Sequence, residues 1–314
     1  MIRVEEKLPG MNLHKLARVR SVAFHAKILV LVLVTAAMAC LTLVSPGLFW
    51  LAPSVALGLA YAHAVELQHQ CLHHTAYRSV IWNRIAGVIL GMPLLVSYSD
   101  YQNSHMKHHK LLGTPEDKEF FNYSYQRLNS VLALIPHLWM VRHYRDTVIY
   151  ILKSVAGKLV REQDATLKAA KRIRFEYQLM FLFIAAIAIS ACLFNIDMAL
   201  RLWLIPLLAG IPTHALIELP EHMGCNVRTT NVLENTRTIR ANEIVVWFVN
   251  GNNYHVEHHW LPGIPNDKFP DLHAGIASRI TYFEPGYWSF YRDFLRNLRH
   301  KNLHNAWSRE RAPL

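Results

Sequence analysis

Four stretches of this sequence are too long, too apolar and too free of charge for the core of a soluble domain. Residues 28–45 (ILVLVLVTAAMACLTLVS) carry no charged side chain, and 47–65 (GLFWLAPSVALGLAYAHAV) has only a histidine near its end. Residues 178–195 (QLMFLFIAAIAISACLFN) and 198–217 (MALRLWLIPLLAGIPTHALI) follow after a polar middle. Each approaches the roughly 20 residues that cross a bilayer as a helix. Pro53, Gly58, Pro206 and Pro212 do not argue against this, because neighbouring helices can satisfy the backbone groups they free. The expectation is an all-α integral membrane protein with four transmembrane helices arranged as two hairpins.

The loops give an orientation. The connections near Ser45–Gly47 and Asn195–Asp197 carry no Lys or Arg, whereas Arg3, Lys7, Lys15, Arg18, Arg20 and Lys27 precede the first run. Arg78, Arg84, Lys107, Lys110, Lys168, Lys171, Arg172 and Arg174 lie in the middle segment, and Arg279, Arg292, Arg296, Arg299 and Lys301 near the end. The positive-inside rule then puts both hairpin tips outside and leaves segments 66–177, 218–314 and both termini in the cytosol. The net charge of +11 is accounted for by orientation and contact with lipid headgroups; no nucleic-acid module accompanies it. With 27 residues before the first run and no small-residue cleavage site, the N-terminus does not read as a signal peptide. Its basic stretch MNLHKLARVRSVAFHAK reads as an amphipathic segment on the membrane surface. Cys40, Cys71, Cys192 and Cys225 form no CxxC pair, which fits a reducing cytosolic face without disulfides.

Two further segments are too short or too polar to span. Residues 85–98 (IAGVILGMPLLVSY) have the length of a re-entrant or interfacial piece, and 131–152 read as a helix lying on the membrane. No repeat or linker marks a second domain, so residues 1–314 are read as one.

Of the 19 histidines, three groups fall on the cytosolic side: HQCLHH at His69–His74, HMKHH at His105–His109 and HVEHH at His255–His259. Clustered imidazoles are weak helix formers that titrate near neutrality, so three such groups need a common cause. On a helix, His69 and His73 project from one face, with His74 about a third of a turn away. His105 pairs with His108 and His109, and His255 with His258 and His259, at i+3 and i+4. Each group can thus present two or three imidazoles to one point, a donor set that suits iron, copper, zinc or nickel. One metal cannot use so many nitrogens, whereas two can, with positions left for a small molecule. Structural zinc needs only four ligands and commonly takes cysteine, and the HExxH pattern of zinc proteases is absent.

ELPEHMGCN at 218–226 places His222 at the cytosolic end of the fourth run, the counterpart of His69–His74, and makes it a fourth contributor. Isolated histidines (His14, His25, His137, His143, His273, His300 and His304) read as solvated or hydrogen-bonded. His63 and His214 lie within spans, where polar groups tend to be functional, but their part is open between a metal contact and a water-linked one.

These residues resemble the membrane fatty acid desaturase and hydroxylase superfamily, whose pattern is HxxxH, HxxHH about thirty residues on, and HxxHH near the end. Here those boxes are HQCLH at 69–73, HMKHH at 105–109 and HVEHH at 255–259, and the likeness covers residues 28–275. EHMG at 221–224 is similar to an extra histidine motif of related alkane hydroxylases, and NGNNYHVEHHWLPGIPN to the third-box surroundings of bacterial desaturase-like proteins. The resemblance implies a bacterial inner-membrane enzyme holding two irons with His69, His73, His105, His108, His109, His222, His255, His258 and His259, with His74 an alternative to His73. It implies O2 as co-substrate, two external electrons, and removal of hydrogens from an unactivated C–H bond of a fatty acyl chain or related amphiphile. Glu66, Asp100, Glu218, Glu221, Asn253 and Glu257 are the residues expected to support the ligands. No HPGG haem motif and no GxG occurs, so electrons must come from a separate ferredoxin, cytochrome or reductase.

A hydroxylase or ketolase would carry the same boxes. A metal transporter would instead line several spans with ionisable residues, and a membrane haem protein would set paired histidines inside facing helices; the spans are mostly bare of both.

Overall fold

In the computed structural model, residues 12–117, 128, 130–160, 165–226 and 229–299 are described. Arg3, Lys7, His300, Lys301 and His304 lie outside them. The long helices are α1 (Ser21–Val44), α2 (Leu51–Leu72), α3 (Val80–Gly91), α4 (Tyr98–Leu111), α5 (Val141–Val155), α6 (Leu167–Leu193) and α7 (Ile196–His222). The C-terminal part carries α8 (His255–Trp260), α9 (Phe269–Ile276) and α10 (Tyr287–Arg299).

Three described helices are long and apolar enough to cross a membrane: Leu13–Val44, which contains α1, then α6 and α7. The expected second span is a helix, α2, but it does not meet the same test of composition. Its second half holds Glu66, Gln68, His69 and Gln70, all buried. α2 is the central helix, enclosed by α1, α3 and α7, so its polar groups face protein and not lipid. The second pair also differs from a simple hairpin. Beyond the tip, α6 packs chiefly on α5 and α4, while α7 packs on α2.

α2 and α7 cross at backbone contact. A methyl group on Gly58 would sit 2.4 Å from the Pro206 carbonyl oxygen, and one on Gly210 would sit 2.7 Å from that of Gly58. Small residues at a crossing let helix backbones approach in this way. Backbone cannot yield as a flexible side chain can, so Gly58→Ala is expected to destabilise the protein by about 1–3 kcal/mol. Thermal unfolding in detergent checks this.

The prolines of α7 leave carbonyls that the fold satisfies. Pro206 has no N–H to offer Leu202, whose oxygen instead accepts from the Tyr61 hydroxyl at 2.7 Å. The neighbouring turn, Leu200–Leu204, winds as a π-helix, and Ser54 donates to the Arg201 carbonyl at 2.7 Å. Pro220 likewise frees the Leu216 carbonyl, which accepts from Tyr291 of α10.

The re-entrant piece expected at 85–98 is a bend of 101° between α3 and α4. Its exposed carbonyls find donors on the helices around it. Gln68 donates to Gly87 and Val96, Trp203 to Pro93 and Tyr144 to Leu94, at 2.8–3.0 Å. Irregular backbone at membrane depth is tolerable only with such protein partners. Residues 131–152 do not form one helix. They break at Met140, where φ is +47°, between Val131–Leu138 and α5. α5 buries His143, Thr147 and Ile151 and exposes Val141, Val148, Leu152 and Val155, the two-faced pattern of a helix in the interface plane.

The chain is not wholly α. β1 (Arg237–Ile239) pairs in parallel with β2 (Tyr282–Glu284). Three-residue strands give too short a pattern to read in sequence. They serve the segment ahead of α8: Ile239 N–H donates to the Asn253 carbonyl at 2.8 Å, and the Asn253 side chain donates back to Ile239 at 2.9 Å.

Candidate metal centre

The end of α2, the C-terminal half of α4, the end of α7 and all of α8 meet beneath the described C-terminal elements, each bringing histidines. Nine imidazoles point their Nε2 atoms into two adjoining groups. In the first, His105 Nε2 lies 2.7 Å from that of His69, 3.0 Å from His73, 3.0 Å from His109 and 3.4 Å from His258. In the second, His222 Nε2 lies 3.2 Å from His108 and 3.1 Å from His255, and His259 lies 3.1 Å from His255. His109 stands between the groups, 3.0 Å from His258 and with its ring stacked on His259.

Hydrogen bonding cannot explain this packing. The His105 Nε2 atom has four nitrogen neighbours and can carry at most one proton, so most of these contacts would set lone pair against lone pair. A metal ion resolves the conflict. With metal–nitrogen bonds of about 2.1 Å, adjacent ligands of an octahedron are about 3.0 Å apart and those of a tetrahedron about 3.4 Å. The observed spacings fall there or slightly below. Two sets of ligand atoms, His69/His73/His105/His258 and His108/His222/His255/His259, each gather within 4.8 Å, as does His109/His258/His259. The donor set therefore fits two metal ions held by neutral imidazoles.

Several of the other ring nitrogens have close partners too. His108 Nδ1 lies 3.0 Å from Asp117, His255 Nδ1 3.3 Å from Glu221, and His222 Nδ1 3.1 Å from the Asn235 carbonyl. Asn252 hydrogen-bonds His69. A partner at Nδ1 fixes the proton there and leaves the Nε2 lone pair facing inward. Burial, and then the neighbouring rings, push the pKa of His255, His258 and His259 well below the usual histidine value. Neutral rings are the form a metal binds.

The structure divides the last two boxes between the groups and does not aim each at a single point. On α4, His105 serves the first, His108 turns to the second and His109 stands between them; on α8, His255 and His259 serve the second and His258 the first. His74 joins neither. α2 ends at Leu72, the backbone at His74 turns left-handed with φ +57°, and the exposed ring lies 3.4 Å from the Gln102 side chain. His74→Ala is accordingly expected to keep full metal content, measured by elemental analysis, and near-normal thermal stability.

Of the six supporting residues expected from the resemblance, Glu221 lies directly beside one of these nine rings, that of His255. Glu66 accepts from His214 at 2.8 Å and from Asn252 at 2.5 Å, and so reaches His69 through Asn252. Glu218 lies 3.3 Å from His214 and accepts from Tyr101, whose ring stacks on His69. Asp100 accepts from Tyr177 at 2.6 Å, Glu257 from Thr238 and His273, and Asn253 holds β1. His63 is turned to the Phe248 carbonyl at 2.6 Å and stacks on Trp247, away from both groups. Asp117, Asn235 and Asn252 had no signal of their own in the sequence, because only tertiary packing brings them to a ring nitrogen.

The turn before α8 carries the NGNN sequence. Asn250 and Gly251 are left-handed, with φ of +51° and +79°. The Asn250 amide donates to the Glu66 carbonyl and to Gln70, both at 3.1 Å, and Lys27 donates to Asn250 at 2.6 Å. The third box is thereby fastened to α2 and α1.

A sequence profile described as fatty acid desaturase matches residues 45–291, a range that contains all nine histidines. A dihydrorhizobitoxine desaturase from Bradyrhizobium elkanii is 27% identical over 257 residues, covering 76% of this chain and 70% of that protein. A fatty acid desaturase from Bacillus subtilis (strain 168) is 22% identical over 221 residues, covering 65% of this chain and 62% of its own length.

Proposed function

Because this chain belongs to the fatty acid desaturase family and is a membrane oxidoreductase of the desaturase type, we propose that it inserts a double bond through two irons held by its nine converging imidazoles. The convergence of nine Nε2 atoms in two groups carries the reading. Two irons bound there would supply O2 activation, with two external electrons, and removal of one hydrogen from each of two adjacent unactivated carbons, O2 leaving as two waters.

The residues of the chain do the rest. His69, His73, His105, His109 and His258 hold one ion, and His108, His222, His255 and His259 the other. Asp117, Glu221 and the Asn235 carbonyl keep His108, His255 and His222 turned inward. His105, His108, His255 and His258 are each 3% exposed or less, which shields the reacting carbons and the electrons from water. We take α2 as the fourth span, with the histidines on the cytosolic side where Lys and Arg accumulate. Electrons come from a separate acidic ferredoxin, cytochrome or reductase, and the substrate is an acyl chain or similar amphiphile drawn from the membrane.

A hydroxylase or ketolase is the second reading, since the same centre serves both outcomes. Mass analysis of the product separates them. Loss of two hydrogens is the expected result, and gain of one oxygen would replace desaturation with hydroxylation. The two relatives are named for different substrates, so fatty acyl and dihydrorhizobitoxine-type compounds belong in the same assay. Failure to turn over either, with both ions in place, would sink the substrate assignment.

A further inference from the structure

α1, α2 and α3 leave between them a cleft of about 900 Å³ that none of the nine histidines lines. Its polarity runs from end to end. Ser21, His25, Tyr77, Arg78 and Ser79 stand at the end where α2 delivers the first histidine box. The rest is apolar apart from Thr35 and Tyr61, and the Tyr61 hydroxyl is already donated to Leu202. Along α1 the lining runs from Ser21 to Ala39, about 27 Å of helix and most of a roughly 30 Å hydrocarbon layer. Arg78 is exposed, and the His25 ring sits edge-on to Tyr77 with centroids 5.1 Å apart.

A groove that is cationic at the membrane surface and apolar through the membrane matches an amphiphile with an anionic head. Its size indicates how many chains. At the roughly 10–15 Å³ of such space that one water-sized group needs, about 900 Å³ is well beyond what a single acyl chain fills. We propose that this cleft is a binding site for an anionic phospholipid, its headgroup at Arg78 and its two chains laid between α1 and α3. The lipid braces α1, which buries only Phe24, Leu31 and Thr42 against the protein. The proposal is independent of the desaturase chemistry, and its test needs neither metal nor turnover.

Trp82 lines the cleft and reports on it. Phosphatidylglycerol brominated on both chains is titrated into the full-length protein in mixed micelles, with brominated phosphatidylcholine in parallel. The Trp82 signal is the difference between wild type and Trp82→Phe. Saturable quenching is expected, about fivefold tighter for the anionic lipid, the size of one arginine–headgroup contact. Arg78→Glu should abolish that preference, and Ala86→Phe, which fills the cleft, should remove the saturable component for both lipids. Equal, unsaturating quenching by the two lipids would reduce the cleft to ordinary bilayer contact and overturn the proposal. Tighter saturation by a brominated fatty acid would overturn it in favour of a single-chain ligand.

Discussion

Replacing His105 by alanine is expected to lower iron from about two per chain to about one or less and to cut turnover by at least a hundredfold. His105 is the hub of the first group, with Nε2 atoms of His69, His73, His109 and His258 all within 3.4 Å. Its removal takes away the one nitrogen that all four of the others approach. Alanine at His255, His258 or His259 should act in the same direction, whereas His74→Ala should not, although His74 lies next to a box residue. Iron content together with Mössbauer spectra of protein grown on iron-57 reads the result. A magnetically coupled pair in wild type that vanishes in His105→Ala is expected; full iron and turnover in the variant would defeat the assignment. Zinc in place of iron after growth in iron-replete medium would likewise count against a redox centre.

The second large effect is of acid on metal-stripped protein. His255, His258 and His259 are held neutral in the fold, with pKa well below the usual value. The unfolded chain therefore takes up protons first as pH falls through about 6.5. Stability is undiminished above that pH and declines below it, towards the depressed folded values. The three together should remove a growing share of the roughly 5–15 kcal/mol typical of a folded protein as the pH falls towards 5.5. The midpoint of thermal unfolding should thus fall steeply between pH 7 and pH 5.5 after chelation. Iron-loaded protein should resist further into acid and then release iron, because protons and metal compete for the same lone pairs. A flat midpoint across this range in stripped protein would show that the rings are not buried neutral.

Much of this protein is legible in order along the chain. Length and apolarity pick out α1, α6 and α7, because crossing a membrane is a demand on each helix separately. Helical spacing identifies which histidines share a face, since i and i+4 are neighbours wherever a helix forms. Thus His69 with His73, His105 with His109 and His255 with His259 are pairs in the sequence and pairs in space. The family resemblance rests on the same local spacings and agrees with the matched profile.

What tertiary structure decided is how those faces meet. The meeting of α4 and α8 at their histidines divides each of their boxes between two groups, and no local pattern encodes that meeting. The status of α2 is similar. Its composition falls short of a lipid-facing span because α1, α3 and α7 enclose it, and burial by neighbours is a property of the assembled bundle. His74 looks equivalent to His73 by position, yet one left-handed residue at the end of α2 turns it outward. Asp117 and Asn235, nine and thirteen residues beyond His108 and His222, become partners of ring nitrogens only where the chain folds back on itself, and Asn252 reaches His69 from far along the chain. The sequence alone determined which histidines share a helix face and that the protein belongs in a membrane, because helix periodicity and bilayer thickness act on short stretches. Only the fold decided which histidine joins which group and what holds it there, because those depend on contacts between residues up to 223 positions apart.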